Sequence, residues 1–157
     1  MTEGRDTEHQ LAHEVLVAAP RPAVWRLVED AEALKAWVPG LRSVMTPEGA
    51  PGGFGLGATF VQRIRIGLVA TACHGTVTEF ESPSRLAVTV SHALFDLDIA
   101  YGFAVRGRGT LVACEAAIRG RALGTVVPRS AVERVTAELL EEHLAALQAL
   151  AEGRAGR

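Results

Sequence analysis

Lysine is almost absent from this sequence, and neither sign of charge is in large excess. Lys35 is the only lysine among the 16 basic residues, arginine supplies the rest, and the formal net charge is −2. A chain with this balance lacks the basic surface that attracts nucleic acid or an anionic membrane. We therefore expect no nucleic-acid partner.

Cysteines and long apolar runs are scarce too. Cys73 and Cys114 are the only cysteines, and their spacing matches neither a metal site nor a disulfide framework. No stretch reaches the roughly 18 apolar residues of a membrane-spanning helix, and residues 1–10 lack the apolar segment of a signal peptide. We expect a cytoplasmic protein with reduced thiols, no transmembrane segment and a disordered N-terminal tail over residues 1–10.

Apolar residues as a class are abundant. They make up 48% of the 157 residues, enough for a chain of this length to bury a sizeable core without disulfides or metals. The length fits a single domain, which we place over residues 11–153.

The residues from Ser130 to Gly153 predict one long amphipathic helix. Ser130 and Glu133 have the spacing of a capping box, and Gly153 suits the position after a helix, where positive φ is common. About 22 helical residues rise about 33 Å. The apolar face predicted at 100° per residue comprises Val132, Val135, Thr136, Leu139, Leu140, His143, Ala146, Leu147 and Leu150. Such a helix needs a broad apolar surface to lie on, which we expect the preceding strands to supply.

The first third of the chain predicts a strand, two short helices and another strand. Residues 11–18 alternate as a strand, and Pro22 suits the first turn of a helix. Asp30 suits the N-cap of a second helix, which ends before Pro39-Gly40. Residues 41–45 predict a short strand.

A glycine-rich stretch over residues 47–57 contains Gly53-x-Gly55-x-Gly57, a pattern with some likeness to a nucleotide-binding fingerprint. That fingerprint requires a helix directly after the glycines, because the helix N-terminus holds the phosphate. Residues 58–66 instead alternate as a strand. We interpret the stretch as a connection, and we expect no nucleotide cofactor.

The middle of the chain predicts an antiparallel meander of five strands. The strands lie near residues 58–66, 69–80, 84–92, 95–106 and 109–121. Short turns fix the register, so pairing Val105 with Thr110 and His92 with Phe95 assigns one face of each strand to the interior. That inner face includes Phe60, Gln62, Ile64, Thr71, Cys73, Gly75, Val77, Val88, Val90, Leu97, Ile99, Tyr101 and Cys114.

This order of elements resembles the helix-grip fold of the START/Bet v 1-like superfamily. Ala19-Pro-Arg-Pro-Ala-Val-Trp25 through Trp37-Val-Pro-Gly40 is similar to the first helices of that fold. Gly75-Thr-Val-Thr-Glu-Phe-Glu-Ser-Pro-Ser-Arg-Leu86 and Gly107-Arg-Gly-Thr-Leu-Val112 are similar to its mid-sheet turns. The polyketide cyclase/dehydrase-like and carbon monoxide dehydrogenase subunit-like branches resemble the chain most. These motifs are structural, so they indicate the fold more strongly than an activity.

The resemblance implies an α+β fold with a curved, antiparallel, seven-stranded sheet around the long C-terminal helix. Two short helices lie between strands 1 and 2. It also implies an internal cavity between sheet and helix for a small hydrophobic molecule, and small residues such as Gly75 would leave room for it. The mouth of that cavity would lie where Gly67-Leu68, Ala93-Leu94 and residues 123–128 meet.

The polar residues of the inner face fall into two places. Gln62, Thr71, Cys73 and His92 lie near the mouth, and Tyr101 lies deeper, opposite Cys114. His92 could act as a general acid or base, or it could be a half-solvated histidine at a strand end. Tyr101 could hydrogen-bond a ligand carbonyl or enolate, or it could be a core tyrosine. The two lie about 20 Å apart, too far to act on one bond.

We expect a protein that binds an aromatic or polyketide-like molecule and resembles a polyketide cyclase/dehydratase. His92 and Tyr101 are the candidate catalytic residues, and we expect no cofactor and no metal. The candidate ligand contacts are Trp37, Gln62, Ile64, Thr71, Cys73, Val90, Leu97, Ile99, Cys114, Val132 and Leu139.

Two alternatives remain open. One is a non-catalytic carrier of a quinone, lipid or other apolar cargo, and the other is an assembly factor that binds a partner protein. Leu68, Ala93 and Leu94 would give the cavity mouth an apolar rim, which a membrane or protein partner could contact. The sequence does not indicate an oligomeric state, and His143 fits either a satisfied core histidine or a ligand contact.

Overall fold

The computed structural model describes residues 7–38, 40–45, 55–66, 69–92, 95–120 and 129–153. In chain order the elements are β1 (Thr7–Val17), α1 (Arg21–Glu29), α2 (Ala31–Trp37), β2 (Leu41–Met45), β3 (Thr59–Ile66), β4 (Val69–Glu81), β5 (Arg85–Ser91), β6 (Phe95–Arg106), β7 (Gly109–Gly120) and α3 (Arg129–Ala151). The seven strands form one antiparallel sheet in the order β1-β7-β6-β5-β4-β3-β2. The predicted helix-grip architecture is confirmed.

The predicted strand register is also confirmed. Val105 pairs with Thr110, and Ser91 pairs with Asp96, which brings His92 level with Phe95. The register shifts between Val77 and Glu79, where a β-bulge absorbs one residue of β4. Val77 and Phe80, three positions apart, therefore both pack in the core.

The first strand begins earlier than predicted. β1 starts at Thr7, and residues 7–10 pair with residues 117–120 of β7. The expected N-terminal tail is thus corrected for residues 7–10, and residues 1–6 lie outside the described part of the chain. The physical reason is that β7 continues to Gly120 and offers backbone groups that even a polar segment can pair with.

The two short helices form as their sequences predict. The Asp30 carboxylate accepts a hydrogen bond from the Glu32 backbone N–H at 3.0 Å, which caps α2. Trp37, at the end of α2, is buried and donates its indole N–H to the Leu27 carbonyl at 2.8 Å. This bond fixes the indole ring against the interior.

The long helix α3 lies on β1 and α2. Gln148 Nε2 donates to the Leu16 carbonyl at 2.8 Å, and Glu152 accepts from the Ala18 backbone N–H at 2.7 Å. Gly153 follows the helix with φ of +80°, the positive φ that the sequence predicted. Ser130 lies within the first turn, because α3 begins at Arg129. The predicted capping box lies outside the side chains that the structure describes.

The buried stripe of α3 is rotated from the predicted face. Leu140, Leu144 and Leu147 are its fully buried members, although the predicted face omits Leu144. Leu139, which the prediction placed inside, is 39% exposed. The stripe runs through positions 140, 144 and 147, and Leu139 lies about 100° away from its centre.

Candidate ligand-binding site

The polar pair nearest the predicted mouth is Thr71 and His92. Thr71 lies on β4, and His92 follows the last residue of β5. The Thr71 Oγ1 atom lies 3.0 Å from His92 Nε2, and the tautomer of the ring decides which group donates. Gln62 and Cys73 are partners across β3 and β4, two positions from Thr71. The structure thus brings together the four residues that the sequence predicted near the mouth.

Tyr101 and Cys114 form a second pair, deeper on the inner face. They are direct partners across β6 and β7 and share a side-chain hydrogen bond. Burial raises the pKa of Tyr101 well above its usual value. Burial also raises the pKa of Cys114 to about 12, with a further contribution from the nearby charge of Glu115. Both groups are therefore neutral at pH 7, and Tyr101 can act as a hydrogen-bonding phenol but not as a phenolate.

Both cysteines are free and buried. Burial raises the pKa of Cys73 as well, so neither thiol has the thiolate character that a nucleophile needs. This agrees with their predicted part as small apolar side chains of the inner face. The described residues contain no group of three or more His, Cys, Asp or Glu side chains that could hold a metal ion.

A chain of ring contacts joins the sheet to α3 through Trp37. The Trp37 and Tyr101 ring centroids lie 6.1 Å apart at 84°, and the Trp37 and His143 centroids lie 6.1 Å apart at 74°. Tyr101 stacks on Phe103 at 6.4 Å. These are edge-to-face and stacked geometries typical of packed aromatic side chains. Trp37 is thus the link between the inner face and the helix.

His143 carries a buried nitrogen with no hydrogen bond. Its Nδ1 atom is shielded from solvent and has no partner within the described residues. Burial lowers the pKa of His143 to about 4, so the imidazole is neutral at pH 7. The sequence left open whether this residue is a satisfied core histidine, and at Nδ1 it is not satisfied by the described part of the chain.

His13 is an inner-face residue that the sequence analysis missed. It lies on β1 directly opposite Cys114, in the same cross-strand row as Tyr101, and is half-buried. No short turn joins β1 to the sheet, so its register could not be carried over from the meander. The alternation of Leu11, His13 and Val15 was the available signal.

The other predicted ligand contacts divide by burial. Val90 and Ile99 are buried in the core, and Ile64 and Leu97 are partly buried against it. Leu139 is exposed, which corrects its prediction as a ligand contact. Val132 lies outside the described side chains.

The space beside Gly75 is filled, contrary to the prediction that this glycine leaves room in the cavity. A Cβ atom built there would approach the ring of Phe60 to 2.1 Å, because that ring covers the glycine across β3 and β4. The glycine instead allows a buried aromatic ring to lie flat on the sheet.

A hollow of about 630 Å³ lies on the outer face of the sheet. Ala12, Glu115, Ala100 and Ala87 form one cross-strand row there and alternate with inward residues. Asp98 at its edge accepts from Arg119 and Thr89, and the Arg119 hydrogen bond lowers the pKa of Asp98. The predicted internal cavity belongs to the opposite face. Its mouth segments, residues 67–68, 93–94 and 121–128, lie outside the described residues.

This architecture is that of the START/Bet v 1-like helix-grip proteins. The chain matches the family model described as "Polyketide cyclase / dehydrase and lipid transport" over residues 8–152, and it belongs to that family. No curated protein sequence matches it.

Several solved structures share the fold. The Zhui aromatase/cyclase from Streptomyces sp. R1128 has 16% sequence identity and a TM-score of 0.77, over 95% of this chain and 96% of that chain. A START superfamily protein from Mycobacterium smegmatis has 18% identity and a TM-score of 0.74, over 92% and 97%. The di-domain ARO/CYC BexL from the BE-7585A biosynthetic pathway has 18% identity and a TM-score of 0.70, over 96% and 50%. At these identities the likeness establishes the fold.

Among the described residues, none of the helices is both long and apolar enough to cross a membrane.

Proposed function

We propose that this protein binds a small, uncharged, aromatic or polyketide-like molecule between the inner face of the sheet and α3. One observation carries the proposal: burial shifts the pKa of Tyr101, Cys114, Cys73 and His143 toward the neutral form of each group. A neutral interior with a few hydrogen-bonding groups suits a molecule with rings and carbonyl or hydroxyl oxygens. Membership of the polyketide cyclase/dehydrase and lipid transport family supports the same ligand class.

Within this proposal the protein acts as a cyclase/dehydratase. The His92 imidazole, held by Thr71, exchanges a proton with the part of the substrate nearest the mouth. Tyr101 hydrogen-bonds an oxygen of the substrate at the deeper end. Because six residues of β6 separate the two positions, each acts on a different part of the molecule. The apolar walls contribute by folding the flexible substrate and excluding water.

The experiment compares His92→Ala, Tyr101→Phe and the control His74→Ala in a cyclisation assay with a synthetic polyketide analogue. His74 is an exposed histidine of the outer face and is not expected to matter. Loss of proton transfer at His92 should lower kcat at least about tenfold. The free energy of unfolding, measured in urea, should stay close to that of the parent protein.

Two outcomes would change the assignment. Equal kcat for His92→Ala and the parent would remove His92 from the mechanism. Tight binding of the analogue without any turnover would favour the carrier of apolar cargo over the cyclase. If no analogue binds to the parent protein, ligand binding itself is wrong.

A further inference from the structure

His143 faces neighbours whose polar groups are already engaged. The indole N–H of Trp37 donates to the Leu27 carbonyl, and the Tyr101 hydroxyl shares its hydrogen bond with Cys114. Trp37 is the ring in edge-to-face contact with His143, and it has no other hydrogen-bonding atom. These rings therefore cannot supply the partner that Nδ1 of His143 lacks.

A buried nitrogen without a partner lowers stability, and natural proteins contain few of them. An apolar side chain of the same shape would pack beside Trp37 without that cost. The position of His143 on α3, next to the ring that contacts the inner face at Tyr101, points to a partner that is not part of the chain.

We propose that Nδ1 of His143 is the hydrogen-bonding anchor for a hydroxyl group of the bound molecule, with the adjoining ring of that molecule against Trp37. The inference rests on the proposed function and narrows its substrate class to hydroxylated aromatics. A hydroxyl group both donates and accepts, so it satisfies either tautomer of a neutral imidazole. An aromatic ring beside that hydroxyl can extend the edge-to-face contacts of Trp37. A plain hydrocarbon would leave Nδ1 unsatisfied.

The test uses two probes that differ only in the hydroxyl group, 2-naphthol and naphthalene. Binding is measured by quenching of Trp37 fluorescence in the Trp25→Phe background, where Trp37 is the single remaining tryptophan. The parent background should bind 2-naphthol about tenfold more tightly than naphthalene, the effect of one net hydrogen bond. His143→Phe should remove this preference but keep its affinity for naphthalene. His74→Phe, on the outer face, is the matched control and should keep the preference.

The results separate this inference from the proposed function. A 2-naphthol preference that survives in His143→Phe would overturn the anchor while leaving ligand binding intact. Equal affinity of the parent for both probes would do the same, and would assign the Nδ1 partner to water. Failure of the parent to bind either probe would overturn the proposed function, and the anchor with it.

A second measurement does not depend on the His143 variant folding. Ring ¹⁵N spectra of the parent protein report the hydrogen bond at each histidine nitrogen, and the chain has 5 histidines to assign. Saturation with 2-naphthol should move the His143 Nδ1 resonance, whereas naphthalene should leave it in place. An unchanged Nδ1 resonance with 2-naphthol bound would overturn the proposal.

Discussion

His143 links the acidity of the solution to the stability of the fold. Burial lowers its pKa in the folded protein to about 4, whereas an unfolded chain has the ordinary value near 6.5. Between these values the unfolded state binds more protons, so stability falls as the pH falls. The loss begins near pH 6.5, levels off below pH 4 and amounts to at most about 3 kcal/mol.

We therefore expect the free energy of unfolding in urea to drop between pH 7 and pH 5, and His143→Phe to reduce that drop. His74→Phe serves as the control, because His74 is exposed on the outer face. The same drop in His143→Phe and in the parent would assign the pH dependence to other groups.

Gly75 is the second residue with a measurable consequence. Because a Cβ atom there would overlap the buried ring of Phe60, Gly75→Ala should destabilise the fold by about 1–3 kcal/mol, as overpacking does. Gly55→Ala is the control, since a Cβ atom at Gly55 meets nothing within 4 Å. Adding Phe60→Leu to Gly75→Ala should recover part of the loss if the clash is its cause. Chemical denaturation of the four proteins measures the terms.

At the scale of the elements, α3 gives the clearest matched pair. Leu144 is fully buried between the helix and the rest of the core, and Leu139 is 39% exposed on the same helix. Leu144→Ala should cost about 2–5 kcal/mol, because it leaves a cavity. Leu139→Ala should change stability by about 0.5 kcal/mol or less. Similar losses at the two positions, measured by thermal and urea unfolding, would show that the buried stripe lies elsewhere.

The strands and this helix differ in how far the sequence could predict them. β3 to β7 follow one another through short connections, so one pairing such as Val105 with Thr110 determines the faces of all five. On a helix no neighbour fixes the rotation, and the periodicity of α3 fits stripes that differ by one turn position. That freedom is why the predicted face includes Leu139 and omits Leu144.

At the scale of the whole molecule, contacts between distant parts of the chain decide the candidate site. Thr71 and His92 could be placed together from the sequence, since both belong to the meander. His13 reaches the inner face only because β1 pairs with β7, and Trp37 reaches His143 only because α2 packs against α3. Neither packing leaves a local pattern in the sequence. The family resemblance predicted the architecture but not these contacts.

The pairing of β1 with β7 also affects how the protein is made. Thr7 pairs with Gly120, so the first strand to leave the ribosome waits for the last strand before it joins the sheet. At about 5–20 residues per second this delay is roughly 5–20 s. Until then its backbone N–H and C=O groups are open to pairing with another chain. Glu14, exposed on the outer face of β1, supplies a charge that discourages such aggregation while the chain is being synthesised.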